Sequence, residues 1–400
     1  MKDRREVRII YYSCMCSEEV FNNLFGESTQ IPGQQVQKYH RTLLKGFSRI
    51  KNVRIECFSK YPINYYNCKK KFVAKKREVW NCVKINYFPS VNIPILGNIF
   101  QTLCSFWSII TCTSKEKTIA IIDVLNISMN KGILFACALK KIKVVGIVTD
   151  LPEMLVDDKK SAFVTQGDKI ISKCDAYVLL TEAMNERINP YKSKPYVVIE
   201  GQIDSEMAHI KKDLKNESDV KVCMYSGSLN KIHGIKYLVE GFLMAELENT
   251  ELHIYGNGDY VDELLKLCEI NSNIKYKGVK LNHEIVKAQV EATLLINPRP
   301  TSQEFVKYSF PSKNMEYMAS GTPVLTTRLP GMPKEYEELV YLIDEETSEG
   351  ISSCLRKVLK EPDDKLHAFG NKTKEYVLRN KTGECAAKKI LELINGLVAQ

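Results

Sequence analysis

Short runs of consecutive apolar residues alternate along this chain with longer stretches in which apolar positions recur every three or four residues. The first pattern belongs to strands buried on both faces and the second to amphipathic helices. Their alternation predicts a parallel sheet wrapped by helices. Strands are predicted at 7–12, 52–58, 117–124, 142–149, 175–180 and 195–200, and Val36, Tyr39, Leu43 and Phe47 predict a helix over 34–50. The pattern lapses around 202–219, where the polar run from His209 to Asp219 suits a linker. It then restarts, with strands at 220–225, 251–255, 274–277, 293–297 and 323–327 and helices at 234–247, 259–270, 282–291 and near 312–320. The expected organisation is a first β/α domain over 1–203, a second β/α domain over 204–380, and a helix over 381–400 packing back on the first.

Composition narrows the class. With 44% hydrophobic and 26% charged residues in 400, the chain is globular and neither disordered nor fibrous. Lysine and arginine total 57 against 48 acidic residues, a net charge of +9. That suits anionic partners such as phosphorylated substrates or a lipid surface, but the bases are dispersed and no nucleic-acid module is legible. The 13 cysteines form no CxxC pair, the closest being Cys14-Met15-Cys16, and the six histidines are not spaced beside them as ligands. No metal site is expected, and the cysteines read as reduced core residues of a cytoplasmic protein. Residues 1–12 lead directly into a strand and not into a signal-peptide core. The most apolar stretch, 91–112, is interrupted by Asn92, Pro94, Asn98, Gln101, Thr102 and Ser105, too often for a spanning segment. It reads as a buried helix, with shallow membrane contact as the alternative.

Candidate chemistry concentrates in the second domain. Ligands of open parallel sheets bind at the carboxyl ends of strands, in loops feeding helix N-termini. Three such loops are rich in small or polar residues: Ser226-Gly227-Ser228-Leu229-Asn230-Lys231, Gly256-Asn257-Gly258, and Asn297 through Lys313. Glycine permits close backbone approach and free helix amides attract phosphate, so together the loops point to a nucleotide. In the third, Pro311 and Ser312 start a short helix that Gly321 and Pro323 stop. Glu316, one turn inside, can accept both hydroxyls of a ribose, while Arg299 and Lys313 can meet phosphate oxygens.

These motifs, in this order, resemble those of GT-B glycosyltransferases of the retaining family 4: Tyr225 through Lys231, His253 through Gly258, and Phe310 through Val324 continuing to Gly331. The resemblance implies an α/β protein of two Rossmann-like domains facing across a cleft. It further implies transfer of a sugar from a nucleotide-diphosphate donor, UDP- or GDP-linked, with retention and without metal or other cofactor. The expected acceptor is a glycan or lipid-linked glycan in surface polysaccharide biosynthesis. Glu316 occupies the second position of the family's glutamate pair, the one that holds the ribose; the first position falls at Tyr308, and Glu304 is a substitute for contacting the transferred sugar. The diphosphate-clamping arginine and lysine fall at Ser228 and His233, so Arg299 and Lys313 are expected to replace them, with Lys231 as a third cation.

On the acceptor side, Gly33 lies in a loop where the family places a glycine near the acceptor, with a plain turn as the other reading. Asp150 ends a buried strand at Thr149-Asp150 and either orients or deprotonates an acceptor hydroxyl or caps the following turn. Glu200 ends the last strand before the linker. Six of the nine residues 69–77 are basic, with Trp80, Phe100, Phe106 and Trp107 following. This is either a solvated loop beside a buried helix or a patch docking the enzyme on the anionic inner face of a membrane. The departures at Ser228, His233 and Tyr308 leave two rivals to an active transferase: a catalytically silent partner subunit and a nucleotide-sugar epimerase of the same fold.

Overall fold

The computed structural model describes residues 7–25, 34–64, 66–112, 117–210 and 220–399. The chain divides into two compact units, residues 1–202 with 383–400, and residues 203–382.

The first unit holds strands β1 (Val7–Ser13), β2 (Val53–Ser59), β3 (Phe72–Val73), β4 (Lys76–Trp80), β5 (Val83–Tyr87), β6 (Ser90–Val91), β7 (Lys117–Asp123), β8 (Lys143–Val148), β9 (Ala176–Leu179) and β10 (Tyr196–Val198). Its helices are α1 (Glu18–Phe25), α2 (Gln34–Ser48), α3 (Leu96–Ile110), α4 (Ile127–Lys140), α5 (Ala162–Ser172) and α6 (Glu182–Ile188). The main sheet runs β10-β9-β8-β7-β1-β2-β5-β4. Every residue of β1 is buried, because this strand lies mid-sheet with helices on both faces. The sheet is parallel except for the β4–β5 hairpin, which the hydrophobic pattern does not reveal. Asn81 and Cys82 both take positive φ there (46° and 63°), the geometry of a two-residue hairpin turn. Lys76 and Arg77 therefore belong to an edge strand whose charges keep it from further pairing, and Lys76 meets Glu19 and Glu78.

The second unit contains β11 (Lys221–Ser228), β12 (Thr250–Asn257), β13 (Ile274–Gly278), β14 (Leu294–Asn297), β15 (Val324–Thr327) and β16 (Tyr341–Ile343). Its helices are α7 (Ile235–Met244), α8 (Val261–Ile270), α9 (Asn282–Glu291), α10 (Ser312–Ser320), α11 (Ser348–Leu359) and α12 (Asp363–Asn380). The sheet, ordered β13-β12-β11-β14-β15-β16, is parallel throughout. β11 and β12 run two or three residues past their apolar cores, because Gly227 and Gly256 pair side by side. Progression reverses between β11 and β14 here, and between β1 and β7 in the first sheet. At such switch points the flanking loops diverge and open a crevice beyond the carboxyl ends of the strands.

A final helix, α13 (Gly383–Ala399), belongs to the first unit. Its Ala386, Ala387, Ile390, Ile394 and Leu397 join the core that holds Leu43, Leu44 and Phe47 of α2. A Cβ on Gly46 would overlap the Gly383 carbonyl, so the two backbones touch.

The helix within 91–112 departs from the buried reading. α3 turns Gln101, Ser105 and Ile109 inward, while Leu96, Ile99, Leu103 and Trp107, with Ile95 before them, are each more than half exposed. Polar side chains face inward because α4 lies too close for large ones: a Cβ on Gly132 would overlap the Thr102 carbonyl. Thr102 and Ser105 then donate to the carbonyls of Ser128 (2.7 Å) and Met129 (2.8 Å). Leaving more than half of each apolar residue outside forgoes a comparable share of the roughly 1.5–3 kcal/mol that full burial of such a side chain contributes.

Candidate active site

The crevice of the second unit is assembled from loops held at backbone contact. Gly227 (φ 153°) and Gly256 (φ 134°) have no room for a Cβ: at Gly227 it would overlap the Lys313 ammonium and at Gly256 the Gly227 carbonyl. A Cβ on Gly258 would meet the backbone at Leu229 and Asn230, and one on Gly234 (φ 78°) the Pro298 carbonyl. The loops after β11, β12 and β14 thus form one floor, which only glycine at these positions permits.

Helix α10 is anchored to that floor. Pro311 is its N-cap and Ser312 its first residue, so the exposed Ser312 hydroxyl does not cap the helix. The Tyr317 hydroxyl accepts from the Ser226 amide (2.9 Å) and lies 3.2 Å from both the Ser226 carbonyl and hydroxyl. Buried Asn314 accepts from Asn297 Nδ2 at 2.7 Å and donates to Thr326 Oγ1 at 3.4 Å. Lys313 and Glu316, three residues apart, share one face of α10. These pins fix where the Lys313 ammonium goes: 3.3 Å from the Tyr225 hydroxyl and 4.8 Å from the centre of its ring.

The result is a concentration of positive charge. Burial, with Arg299 nearby, lowers Lys313 to about 8, against a smaller opposing pull from Glu316. Burial also lowers Arg299, whose guanidinium carbon stacks 4.8 Å from the Phe305 ring centre and whose Nε has no hydrogen-bond partner among the described residues. His233 is lowered by its own burial and then by Arg299 and Lys313. Neither Arg299 nor Lys313 has a carboxylate within ion-pair distance among the described residues. Like charges are held together, half-desolvated, around glycine backbone: an arrangement that an oxyanion with two or more charges would relieve.

Not every residue singled out from the sequence joins this group. Lys231 pairs with Glu263 and its ammonium is turned away to that partner. Glu304, itself exposed, opens the turn Glu304–Tyr308, directly before Phe305. Ser228 gives its carbonyl to the Tyr225 hydroxyl at 2.7 Å. His233, a departure from the family pattern, lies beside these two cations, which together with its burial favour its neutral form, and Tyr225, Asn314 and Tyr317 position the group. Their part was hidden because an aromatic or amide in a short helix reads as core until the facing strand is known.

In the first unit, Gly33 lies outside the described residues. Asp150 stands at the end of β8, and the following turn is capped by Leu151 without side-chain help, so Asp150 does not cap it. Burial raises Asp150 to about 6, with Asp123 adding to the rise. Asp123, at the end of β7, accepts from Asn126 Nδ2 (2.7 Å) and lies 3.5 Å from His40 Nε2. His40 Nδ1 lies 2.6 Å from the Tyr11 hydroxyl, and both rings are fully buried. Glu200 is also buried, near enough to Tyr39 to raise its hydroxyl further. The switch point of this sheet therefore carries acids backed by a buried histidine. His40 and Asp123 were missed because one sits on an amphipathic helix and the other ends an apolar run.

Among the described residues no group of three histidine, cysteine or acidic side chains could hold a metal, and no helix is long and apolar enough to cross a membrane.

Comparison with known proteins bears on this geometry. Residues 206–376 match the family model described as glycosyl transferases group 1. No curated protein matches the chain. Among solved structures, sucrose-phosphate synthase from Thermosynechococcus elongatus is similar at 14% identity and TM-score 0.66, over 98% of this chain and 99% of that one. HepE of Anabaena, in complex with UDP, is similar at 12% identity and TM-score 0.64, over 97% and 100%. The α,α-trehalose 6-phosphate synthase of Burkholderia multivorans is similar at 11% identity and TM-score 0.65, over 98% and 97%. At these identities the likeness establishes the two-domain α/β architecture, GT-B.

Proposed function

With a glycosyl transferases group 1 domain over residues 206–376, the chain is a GT-B glycosyltransferase, and we propose that it moves a sugar from a nucleoside-diphosphate donor with retention of configuration. One observation carries the donor assignment: Arg299 and Lys313, with His233 beside them, crowd one glycine-lined floor, and among the described residues no carboxylate stands within ion-pair distance of either cation. As the sugar leaves, negative charge develops on the diphosphate, and fixed cations near that position stabilise it. In this reading Arg299 and Lys313 take over the clamp that the family pattern would place at Ser228 and His233.

Gly227, Ser228, Gly256, Gly258 and the first turn of α10 from Ser312 line the diphosphate. Glu316 accepts the ribose hydroxyls, and Glu304 faces the transferred sugar. The nucleotide sugar is a substrate, UDP- or GDP-linked, and no separate cofactor is called for; the complex of HepE with UDP favours uridine. On the acceptor side Asp150 receives or orients the attacking hydroxyl of a glycan or lipid-linked glycan, with Glu200 nearby. A surface-polysaccharide pathway, at the cytoplasmic face of a membrane, is the setting this acceptor class suggests.

A thermal-shift screen over UDP, GDP, ADP and their sugar conjugates tests the reading. A ligand at a hundredfold excess over Kd adds about 2.7 kcal/mol to the state it binds. The nucleotide that stabilises the parent should lose its effect in Glu316→Ala and in Arg299→Ala with Lys313→Ala. Turnover of the double variant should fall at least about a hundredfold with folding retained. Equal stabilisation of parent and variants, or near-normal turnover, would sink the assignment.

A further inference from the structure

Helix α3 is built inside out, and its surroundings say what it faces. Its exposed residues Leu96, Ile99, Leu103 and Trp107 fall three or four apart, a single apolar stripe. Phe106 stacks on Phe135 of α4 at 5.7 Å, and Phe135 and Leu139 carry the stripe onto the neighbouring helix, both more than half exposed. Neither α3 nor α4 contains an aspartate or glutamate.

Cations frame this strip at both ends. The exposed Lys69–Lys71 run is tied to the entry of α3, with the Asn92 amide donating to the Lys71 carbonyl at 2.8 Å and Phe72 pairing with Val91. Lys75 lies close enough to Cys104 on α3 to act on its thiol. At the far end Lys140 caps α3 by donating to the carbonyls of Ile110 and Cys112, both at 2.7 Å. Beside the strip a cavity of about 790 Å³ opens between α4 and α5, walled by Phe135, Ile142 and Ile170 and rimmed by Lys141, Lys169 and Lys173.

We infer that the α3–α4 face, with its lysine frame, is the surface by which the first unit docks on an anionic lipid bilayer. This rests on the membrane-side part of the functional reading and locates it in named residues. Apolar side chains flanked by lysine and a half-exposed tryptophan are the composition that seats a helix at the boundary of headgroup and acyl chain. The phosphates of that boundary complement the frame. A second copy of this chain fits less well, since an isologous contact would bring the same lysines against one another. The cavity adds a place where an acyl chain could lie with its phosphate among the rim amines.

Full-length protein carrying Trp80→Phe leaves Trp107 as the reporter, read with vesicles of equimolar phosphatidylglycerol and phosphatidylcholine and with phosphatidylcholine alone. Trp107 emission should move to the blue, and the protein should sediment, with the anionic vesicles only. Leu103→Ser with Trp107→Ser, and separately Lys69→Gln, Lys70→Gln and Lys71→Gln together, should each weaken sedimentation at least about tenfold. The unfolding temperature of each should be unchanged. Absence of binding by the parent, or undiminished binding by both variants, overturns the surface. So does a parent dimer in sedimentation equilibrium that the Leu103→Ser, Trp107→Ser protein fails to form. Nucleotide-induced stabilisation of the same proteins reports the donor site separately, so failure of either reading is visible without the other.

Discussion

The Lys313 ammonium lies over the Tyr225 ring, 4.8 Å from its centre, with the phenol oxygen at 3.3 Å and, among the described residues, no carboxylate in ion-pair reach. A ring face and a hydroxyl are weak compensation for lost water, which is why burial brings this lysine down to about 8. It is held as a charge awaiting an anion.

The pH dependence of nucleotide binding follows. Lys313 must be protonated to hold phosphate, and in the free protein it loses its proton as pH rises through about 8. UDP affinity should be flat below pH 7 and weaken up to about tenfold per unit above 8, as binding linked to one proton requires. Titration calorimetry from pH 6.5 to 9.5 measures it. Lys313→Arg, which stays charged, should remove the slope, and a slope that survives there would assign it elsewhere. Stability has the opposite sense: the unfolded lysine holds its proton to higher pH, so the free protein should gain stability from about 8 toward the ordinary lysine range.

Gly227→Ala places a methyl group where the Lys313 ammonium now sits and forces alanine to φ 153°. Backbone strain of this kind costs about 1–3 kcal/mol. The variant should unfold at lower temperature and lose nucleotide-induced stabilisation, both visible in one calorimetric scan. Undiminished binding would show that the floor is not where phosphate lies.

Tyr317→Phe removes the hydroxyl that satisfies the Ser226 amide at 2.9 Å. Leaving a buried donor unpaired costs about 1–3 kcal/mol. Urea unfolding followed in the second unit should move by that amount, and UDP should bind more weakly because Ser226 leads into the glycine floor. A stability loss with unaltered affinity would mean that the pin holds the fold and not the site.

Asp150 gives a second pH limb. Burial raises it to about 6, above the unfolded carboxyl, so the folded state holds the extra proton and stability from this group declines as pH rises from about 4 to 6. If the ionised carboxylate receives the acceptor's proton, kcat/KM should climb through about pH 6. Asp150→Asn should remove that limb and lower turnover about 10²–10⁴-fold while leaving the UDP dissociation constant alone. An unchanged limb in the variant would transfer the role to another group.

The α/β architecture was legible because strands buried on both faces announce themselves as unbroken apolar runs, as at Ile9–Tyr12 and Ile119–Ile122. The β4–β5 hairpin was not, since its Lys76–Trp80 strand is an edge that opens with three consecutive charged residues and its turn uses Asn81-Cys82 without glycine. α3 was misjudged for a different reason. Apolar content locates a helix, but which face is buried depends on how closely the neighbour approaches, and Gly132 set that distance from another helix. In the site, Arg299, Lys313 and Glu316 stood out by type and spacing. His233 looked like a loss until the fold set it beside Arg299 and Lys313.

The return of the chain to its first unit has a consequence for synthesis. Ile203 bridges to Thr382, and its amide donates to the Lys381 carbonyl at 2.9 Å, so the two ends of the second unit lie together. Meanwhile α13, which closes the α2 side of the first core, is encoded after the second unit. At translation speeds of roughly 5–20 residues per second, the ribosome spends roughly 10–40 s between residue 203 and residue 383. For that interval Leu43, Leu44 and Phe47 lack the partners that α13 brings, while the second unit, contiguous in sequence, can already fold. The first unit, begun before the second, is thus finished after it, and the interval is a window in which chaperones, or premature association, have access to that core.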